Sequence, residues 1–489
     1  MNNQIISWIN HKLNINIESD YYSNYIDEWR NWWQGFYKPF HCYKFNNGKV
    51  VSDRKMFSLK MGKKVCEDWA SILLNEKTKL VVTDDKTNEF LQGKKETSGI
   101  FGSNDFWLQA NRLVEKAFYS GTGAVVIHAR NVHVNGSGYI SGNESTTLSF
   151  NYLSAEYIIP LSFSGGKITE AAFCSEETIK GKKYMLLELH TIGNDGNYII
   201  ENYRFTYDYN SLQETELQAG VAKSINTRSP VPWFAIIMPN IENNVENNNG
   251  LGVSVLHGAI DCLQAVDLAF NGFTTDFKLG QKKVFMYKDL LGIGEDGEEL
   301  VPDDVNQQLF CYIDKDITGE NKKDLIQEFN PELRVDETTK GVQAALDYLS
   351  FKVGLGNKHY QFNSGSVVTA TQYSGDKQDL IQNAHKHYIA VETFLLGFIK
   401  SVLWIGKNIL NADIDENTDM EIVFDKSVVI DEAAERLQDK EDVRDRVMSK
   451  WEYRVKWYSE TEEEAKAVIA EIEGSQSDDN LINFDEDDA

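Results

Sequence analysis

At 489 residues, with 42% hydrophobic and 12% aromatic side chains, the chain exceeds one compact domain and is too apolar for wholesale disorder; two to four structural units are expected. Its 49 basic residues against 75 acidic ones leave a net charge of −26, which argues against a protein that grips nucleic acid through an overall basic surface. The opening MNNQIISWINHKLNI lacks a basic leader and a cleavage site, and the longest apolar run, 394–406, has only 13 residues and contains Lys400, so a soluble chain with no membrane partner is expected.

In chain order, the first hundred residues are rich in tryptophan (Trp8, Trp29, Trp32, Trp33, Trp69). Residues 58–77 read as a helix with Met61, Val65, Trp69, Ile72 and Leu73 on one side, and 106–119 as a second with Leu108, Leu113, Val114 and Phe118. Gly121-Thr-Gly123 reads as a helix C-cap rather than a phosphate loop, and 124–128 as a strand. Short β-branched and aromatic runs parted by turns continue to about Met238. From there Ile260, Leu263, Val266, Phe270, Phe273 and Phe277, at intervals of three and four, predict a long helix. A small α+β insert with strands at 284–287 and 309–313 follows, then a helix over 338–353 and a Gly/Ser-rich loop over 354–366. A long helix over 370–410, a strand at 421–424, helices near 431–448 and 461–473 and an acidic tail complete the chain.

Enzymatic motifs are missing from the sequence. There is no GxxxxGK[ST], HExxH or GxSxG string. Gly292-Ile-Gly-Glu-Asp-Gly297 matches GxGxxG, but its two acids oppose a pyrophosphate, and an acidic turn is the better reading. His385 and His387, two residues apart on a helix, diverge by about 200° and cannot share a metal. Asp84-Asp85 and Asp303-Asp304 read as solvated turns. Cys42, Cys66, Cys174, Cys262 and Cys311 form neither a zinc motif nor a disulfide framework, and fit a reducing compartment. No catalytic residue, metal or cofactor is expected.

Several strings carry a resemblance. Lys60-Met-Gly-Lys-Lys-Val-Cys-Glu-Asp-Trp-Ala-Ser-Ile-Leu-Leu-Asn-Glu76 resembles the early helix of portal proteins of tailed bacteriophages, of the type found in siphophages of Gram-positive hosts. Val368-Thr-Ala-Thr-Gln372 is similar to the "TATE" string that opens that family's long helix, with Gln372 in place of the usual Glu, which loses a capping charge but keeps an amide able to cap. Asp445-Arg-Val-Met-Ser-Lys450, followed by Thr461-Glu-Glu-Glu-Ala465 and Ile472, resembles its closing pattern, though Asp445 stands where glycine is common.

The resemblance covers nearly the whole chain and implies an α+β multidomain portal fold assembled as a cyclic ring of twelve subunits. It implies a wing over 1–250, a first stem helix over 251–280, a clip over 281–337, a second stem helix over 338–353 and a tunnel loop over 354–368. A long wing helix and strand (369–430), a helical crown (431–474) and an acidic tail (475–489) follow. The implied function is the channel at one capsid vertex of a virion, assembled in the host cytoplasm. Double-stranded DNA would pass through it during packaging, retention and ejection. The implied partners are the terminase large subunit, a head–tail connector or adaptor, and the major capsid and scaffolding proteins. A twelve-fold ring would carry 12 × −26 = −312 formal charges, which suits a conduit that must let DNA slide.

The segment expected to face DNA is Asn357, Lys358, His359, Tyr360, Gln361, Phe362, Asn363 and Ser364, in which a lysine, a histidine and two aromatics follow flexible glycines. Lys278, Lys282 and Lys283 are candidate lumen cations, with solubilising surface charge as the plainer account. Two other readings stand beside this one: a metal-dependent nuclease or phosphodiesterase with an unrecognised carboxylate site, and a capsid adaptor that forms no ring.

Overall fold

The computed structural model describes residues 3–479 except 18–19, 47–50, 95–96, 137, 144, 209–210, 219, 246–249, 288–291, 294–298, 301–309, 314–325, 362–369, 426–431 and 459. The helix Met61–Leu73 turns Val65, Cys66, Trp69, Ala70, Ile72 and Leu73 inward, in the periodicity of the sequence. It is shorter than the 58–77 expected because Lys60 sits in the left-handed region (φ 56°) and the last turn closes at Leu74 onto the Ala70 carbonyl. A helix not expected from the sequence, Asp20–Gln34, packs beside it. The approach is close enough that a Cβ on Gly62 would lie 2.5 Å from the Trp32 carbonyl oxygen, so only glycine fits there.

Phe106–Ser120 ends at Gly121 (φ 85°), whose N–H closes on the Ala117 carbonyl at 2.7 Å, the C-cap read from the sequence. Asp84 likewise accepts the Thr87 N–H at 2.8 Å and caps the helix Asp85–Gln92. The strand Gly123–Arg130 lies between Phe234–Ile237 and Thr147–Ser154 in an antiparallel sheet. A larger antiparallel sheet runs Ile158–Ser164, Lys167–Ile179, Lys182–Ile192, Tyr198–Asp208, Ser211–Thr215, with Ser224–Asn226 also on the fourth strand. The amphipathic N-terminal helix Asn3–Leu13 covers one face of it, burying Ile5, Ile6 and Ile9, with Trp8 edge-on to Tyr203 at 4.6 Å.

The long helix Ala370–Asn408 is the axis of the main core. Leu395, Phe398, Ile399 and Val402 are fully buried, and Phe398 stacks on Phe106 at 4.9 Å. Its 378–408 stretch is long and apolar enough to cross a membrane by composition, which corrects the expectation of a 13-residue apolar limit. The helix keeps an exposed polar face at Gln382, His385, Lys386, Thr393, Lys400 and Lys407, and burial of its other sides in this core accounts for the hydropathy. Met420–Val423 pairs antiparallel with Lys79–Val82.

Three closing helices, Glu432–Arg444, Lys450–Tyr458 and Glu462–Asp479, stand where two were expected. The extra break is a capping box: Ser449 N–H donates to Glu452 Oε2 (2.8 Å) and Glu452 N–H to Ser449 Oγ (3.3 Å). Thr461 and Glu464 repeat the device at 2.9 and 3.3 Å.

His387 is buried edge-on between Trp69 (4.8 Å) and Phe118 (5.0 Å), and its Nδ1 accepts the Asn240 N–H at 3.1 Å. His385 is exposed, so the two rings part as the helical angle requires. Burial, helped by Lys386, lowers the His387 pKa to about 3. The unfolded chain therefore binds this proton below pH 6.5 while the folded one refuses it until about pH 3. Stability from this group is complete above pH 6.5 and falls by up to about 1.4 kcal/mol per pH unit below it. Denaturant titrations from pH 7 to 4 should show that acid slope reduced by about one proton in His387→Gln; equal slopes would refute it.

Candidate functional site

The most distinctive local architecture is a helical hairpin. Ile260–Leu279 leaves the core after a short 3₁₀ turn at His257–Ala259, and Val335–Lys352 returns to it. The two run antiparallel: Arg334 Nη2 donates to both Asp276 oxygens at 2.8 and 2.9 Å near the tip, and Gly258 lies beside Lys352 at the base. At the tip, Lys283–Tyr287 lies between Phe310–Ile313, parallel, and Ile326–Phe329, antiparallel; a two-stranded ribbon joins Gly292–Ile293 to Glu299–Leu300. Residues 288–291, 294–298, 301–309 and 314–325 of the insert, Asp303 and Asp304 among them, lie outside the described residues.

Burial along the hairpin departs from the sequence pattern. Leu263, Val266, Leu346 and Leu349 are buried, but Phe270 and Phe273 are only half-buried and Phe277 is exposed. Each helix also carries an exposed stripe that the alternating intervals conceal. On the outgoing helix it is Ala265, Leu268, Gly272 and Leu279; on the returning helix Gly341, Ala344, Tyr348 and Phe351. Tyr348 is 71% exposed, Phe351 57% and Leu268 53%. Beside Gly272 and Gly341 there is open space within 4 Å of a notional Cβ.

The outgoing helix is fastened to the N-terminal region by one buried carboxylate. Asp267 accepts Leu59 N–H (2.8 Å) at Oδ1 and Ser58 Oγ–H (2.9 Å) at Oδ2, and His41 Nε2 lies 2.9 Å from Oδ2. One turn on, Asn271 Oδ1 accepts the Phe57 N–H at 3.0 Å. Both His41 and Asp267 are buried. Sequence reasoning missed this cluster, although an aspartate inside the run Val266-Asp267-Leu268 was a visible signal of a buried polar anchor.

The loop expected to face DNA begins in a fixed conformation. Gly354 (φ 83°) and Gly356 (φ 80°) turn the chain after the returning helix, and Leu355 N–H donates back to the Ser350 carbonyl (2.9 Å). Trp69 Nε1–H bonds Val353 O at 3.1 Å and Asn383 Nδ2–H bonds Gly354 O at 3.1 Å. Tyr360 points into the protein: its hydroxyl donates to Asp68 Oδ2 (3.0 Å) and its carbonyl accepts from Gln343 Nε2 (2.7 Å). Burial and then the Asp68 charge push the Tyr360 pKa well up. His359 Nε2 lies 3.7 Å from Asp68. Burial works against the Asp68 charge, but the nearby His359 ring and the Lys64 ammonium outweigh it and lower its pKa. Asn357, Lys358 and Gln361 are exposed, Lys358 with φ 61°. Phe362, Asn363 and Ser364 lie outside the described residues. Of the candidate cations, Lys282 pairs with Glu328 at 2.6 Å and Lys278 lies 4.7 Å over the Phe57 ring, while Lys283 begins the central strand of the insert.

Elsewhere, His128 and His190 flank Glu188 at 2.9 and 3.5 Å inside the sheet region. Burial disfavours the Glu188 charge, yet His128 above all holds its pKa well below the carboxylate range. Among the described residues, no three His, Cys, Asp or Glu side chains are grouped so as to hold a metal ion.

No protein-family model matches the chain, and no curated protein matches it. Among solved structures it is similar to a chain of the virion of a native gene transfer agent particle, at 11% identity and a TM-score of 0.37, covering 81% of this chain and 88% of that one. A chain of the neck of an empty gene transfer agent particle gives the same identity and score, over 81% of this chain and 89% of that one.

Proposed function

We propose that the chain is one subunit of a portal ring, a channel at a single capsid vertex through which double-stranded DNA is packaged, retained and ejected. The observation that carries this reading is the helical hairpin with an exposed, largely apolar stripe on each helix. Apolar faces of this kind are unfavourable in water unless covered. Small residues at Gly272 and Ala265 on one stripe and aromatics at Tyr348 and Phe351 on the other are unlike surfaces that can meet head to tail, and a repeated head-to-tail contact closes into a ring when its rotation allows. The resemblance in sequence supplies the expected order of wing, stem, clip, tunnel loop and crown. The strand-built insert at the hairpin tip is then the clip, on which a terminase ATPase and later a head–tail connector would dock. Lys358, in the exposed first part of the loop, is the loop cation proposed to meet passing phosphates.

The nuclease reading has no specific observation in its favour. A capsid adaptor that forms no ring is separated by size. Light scattering with negative-stain imaging should give a species of about 670 kDa, twelve times 55.7 kDa, with a central hole. A monomer or dimer that stays ringless at high concentration would refute the reading.

A further inference from the structure

We propose that the helical hairpin bends at one level, just beyond its anchor at Asn271, with Gly272 and Gly341 as the hinge on which its tip and the insert swing. The inference goes beyond the ring reading and does not depend on it.

Two contacts fix the register of the hairpin: Gly258 beside Lys352 at the base and Asp276 with Arg334 at the tip. In that register Gly272 stands level with position 338 and Gly341 with position 269, so the two glycines lie within one helical turn of each other. Glycine weakens the interior of a helix, because its backbone has the most freedom to lose on ordering. Sterics do not require it here. A Cβ on either residue would meet nothing within 4 Å beyond its own helix. Hydroxyl groups loosen the same level. Thr274 Oγ–H bonds the Phe270 carbonyl at 2.9 Å, straddling Gly272, and Thr338 Oγ–H bonds the Arg334 carbonyl at 2.6 Å. Such back-bonding competes with the helix ladder and favours bending.

Packing changes at the same place. The buried residues of the two helices, Leu263, Val266, Asp267, Leu346, Leu349 and Ser350, all lie on the base side of it. On the tip side Phe273 is half-buried, and Phe277, Leu279 and Val335 are exposed. Asn271, which accepts the Phe57 N–H, is the residue before Gly272. Farther out, Lys278 reaches back over the Phe57 ring at 4.7 Å, through a long side chain that can follow a modest rotation. The outer halves are instead tied to each other. Arg334 Nη2 donates to both Asp276 oxygens, and the Leu333 side chain lies against Gly280. They therefore move as one body with the strands they carry, while the base stays packed in the core. A hinge needs only a few residues that absorb the backbone change, set where buried apolar contacts run out. On the portal reading, it would let one insert meet its docking partners in different orientations.

The test is pulsed electron–electron resonance on the dilute full chain, with bio-orthogonal spin labels at two exposed residues, Glu332 on the tip and Thr393 on the long helix. A second pair, at the exposed Asp261 and Thr393, reports on the base. In wild type the tip distances should spread about twofold more widely than the base distances, or more. Gly272→Ala/Gly341→Ala should narrow the tip spread to near that of the base, and Thr274→Val should narrow it in part. Gly397→Ala, in the long helix and equally clear of neighbours, controls for helix propensity: it should raise the melting temperature similarly and leave the tip spread unchanged. A wild-type tip as narrow as the base overturns the hinge, as does a broad one that the double substitution leaves broad. Equal narrowing by Gly397→Ala overturns it too. A double variant that keeps the broad tip but no longer assembles assigns the two glycines to contacts between copies, and so also overturns it. The distances are read on the dilute chain, so a failure of the ring reading leaves this result standing.

Discussion

Substituting glutamate for both Tyr348 and Phe351 should leave the dilute chain folded and abolish the ring. The two side chains are 71% and 57% exposed, so the chain by itself gains little from them. Covering each by a neighbour would contribute about 1.5–3 kcal/mol per aromatic, and a buried, unpaired carboxylate in its place costs several more. The penalty recurs at every interface of a closed ring, so assembly fails as a whole. Circular dichroism melting should superimpose on wild type, while native mass falls from about 670 kDa to that of a single chain of 55.7 kDa. A ring that survives the double substitution would remove these aromatics from the interface. A chain that melts early would show that they support the fold of the monomer.

Asp267→Ala should have the largest effect on the chain's own stability. It removes one carboxylate and leaves His41 Nε2, Ser58 Oγ and the Leu59 N–H without their common acceptor in a buried place. Unsatisfied buried donors cost about 1–3 kcal/mol each, and the loss of a network member typically totals about 3–5 kcal/mol. Urea titration should show that loss. Hydrogen exchange should show it concentrated at 41–59 and in the first half of the outgoing helix, because those are the segments the carboxylate joins. Asp267→Asn, which keeps one acceptor oxygen for the Leu59 N–H, should lose less. A stability within about 0.5 kcal/mol of wild type would mean that the cluster does not hold segment 41–59 to the outgoing helix.

The two results are separable in one experiment series. Changes to the exposed stripes alter association without altering the monomer, whereas a change at the buried anchor lowers the stability of the monomer itself.

Much of the local structure was legible in the residues alone. The spacing of Val65, Trp69, Ile72 and Leu73, of Leu263 and Val266, and of Leu395, Phe398 and Val402 marks helices, because one face of each must leave water and its period is set by the backbone. Gly121 announces a helix end for an equally local reason, its tolerance of φ 85°. The helix Asp20–Gln34 was missed since its aromatics crowd together without clear alternation, and the break at Ser449 was missed although Ser449-Lys-Trp-Glu452 spells a capping box. What the tertiary structure alone decided is which apolar residues remain uncovered and which polar ones meet. Tyr348 and Leu349 are alike in sequence, yet one is exposed and the other buried, since the partner helix covers only one side. Tyr360 and Asp68, 292 residues apart, and His41 and Asp267, 226 apart, meet only because the chain returns on itself. Periodicity is a property of neighbours along the backbone, whereas a buried hydrogen bond between distant residues depends on where the whole chain places them.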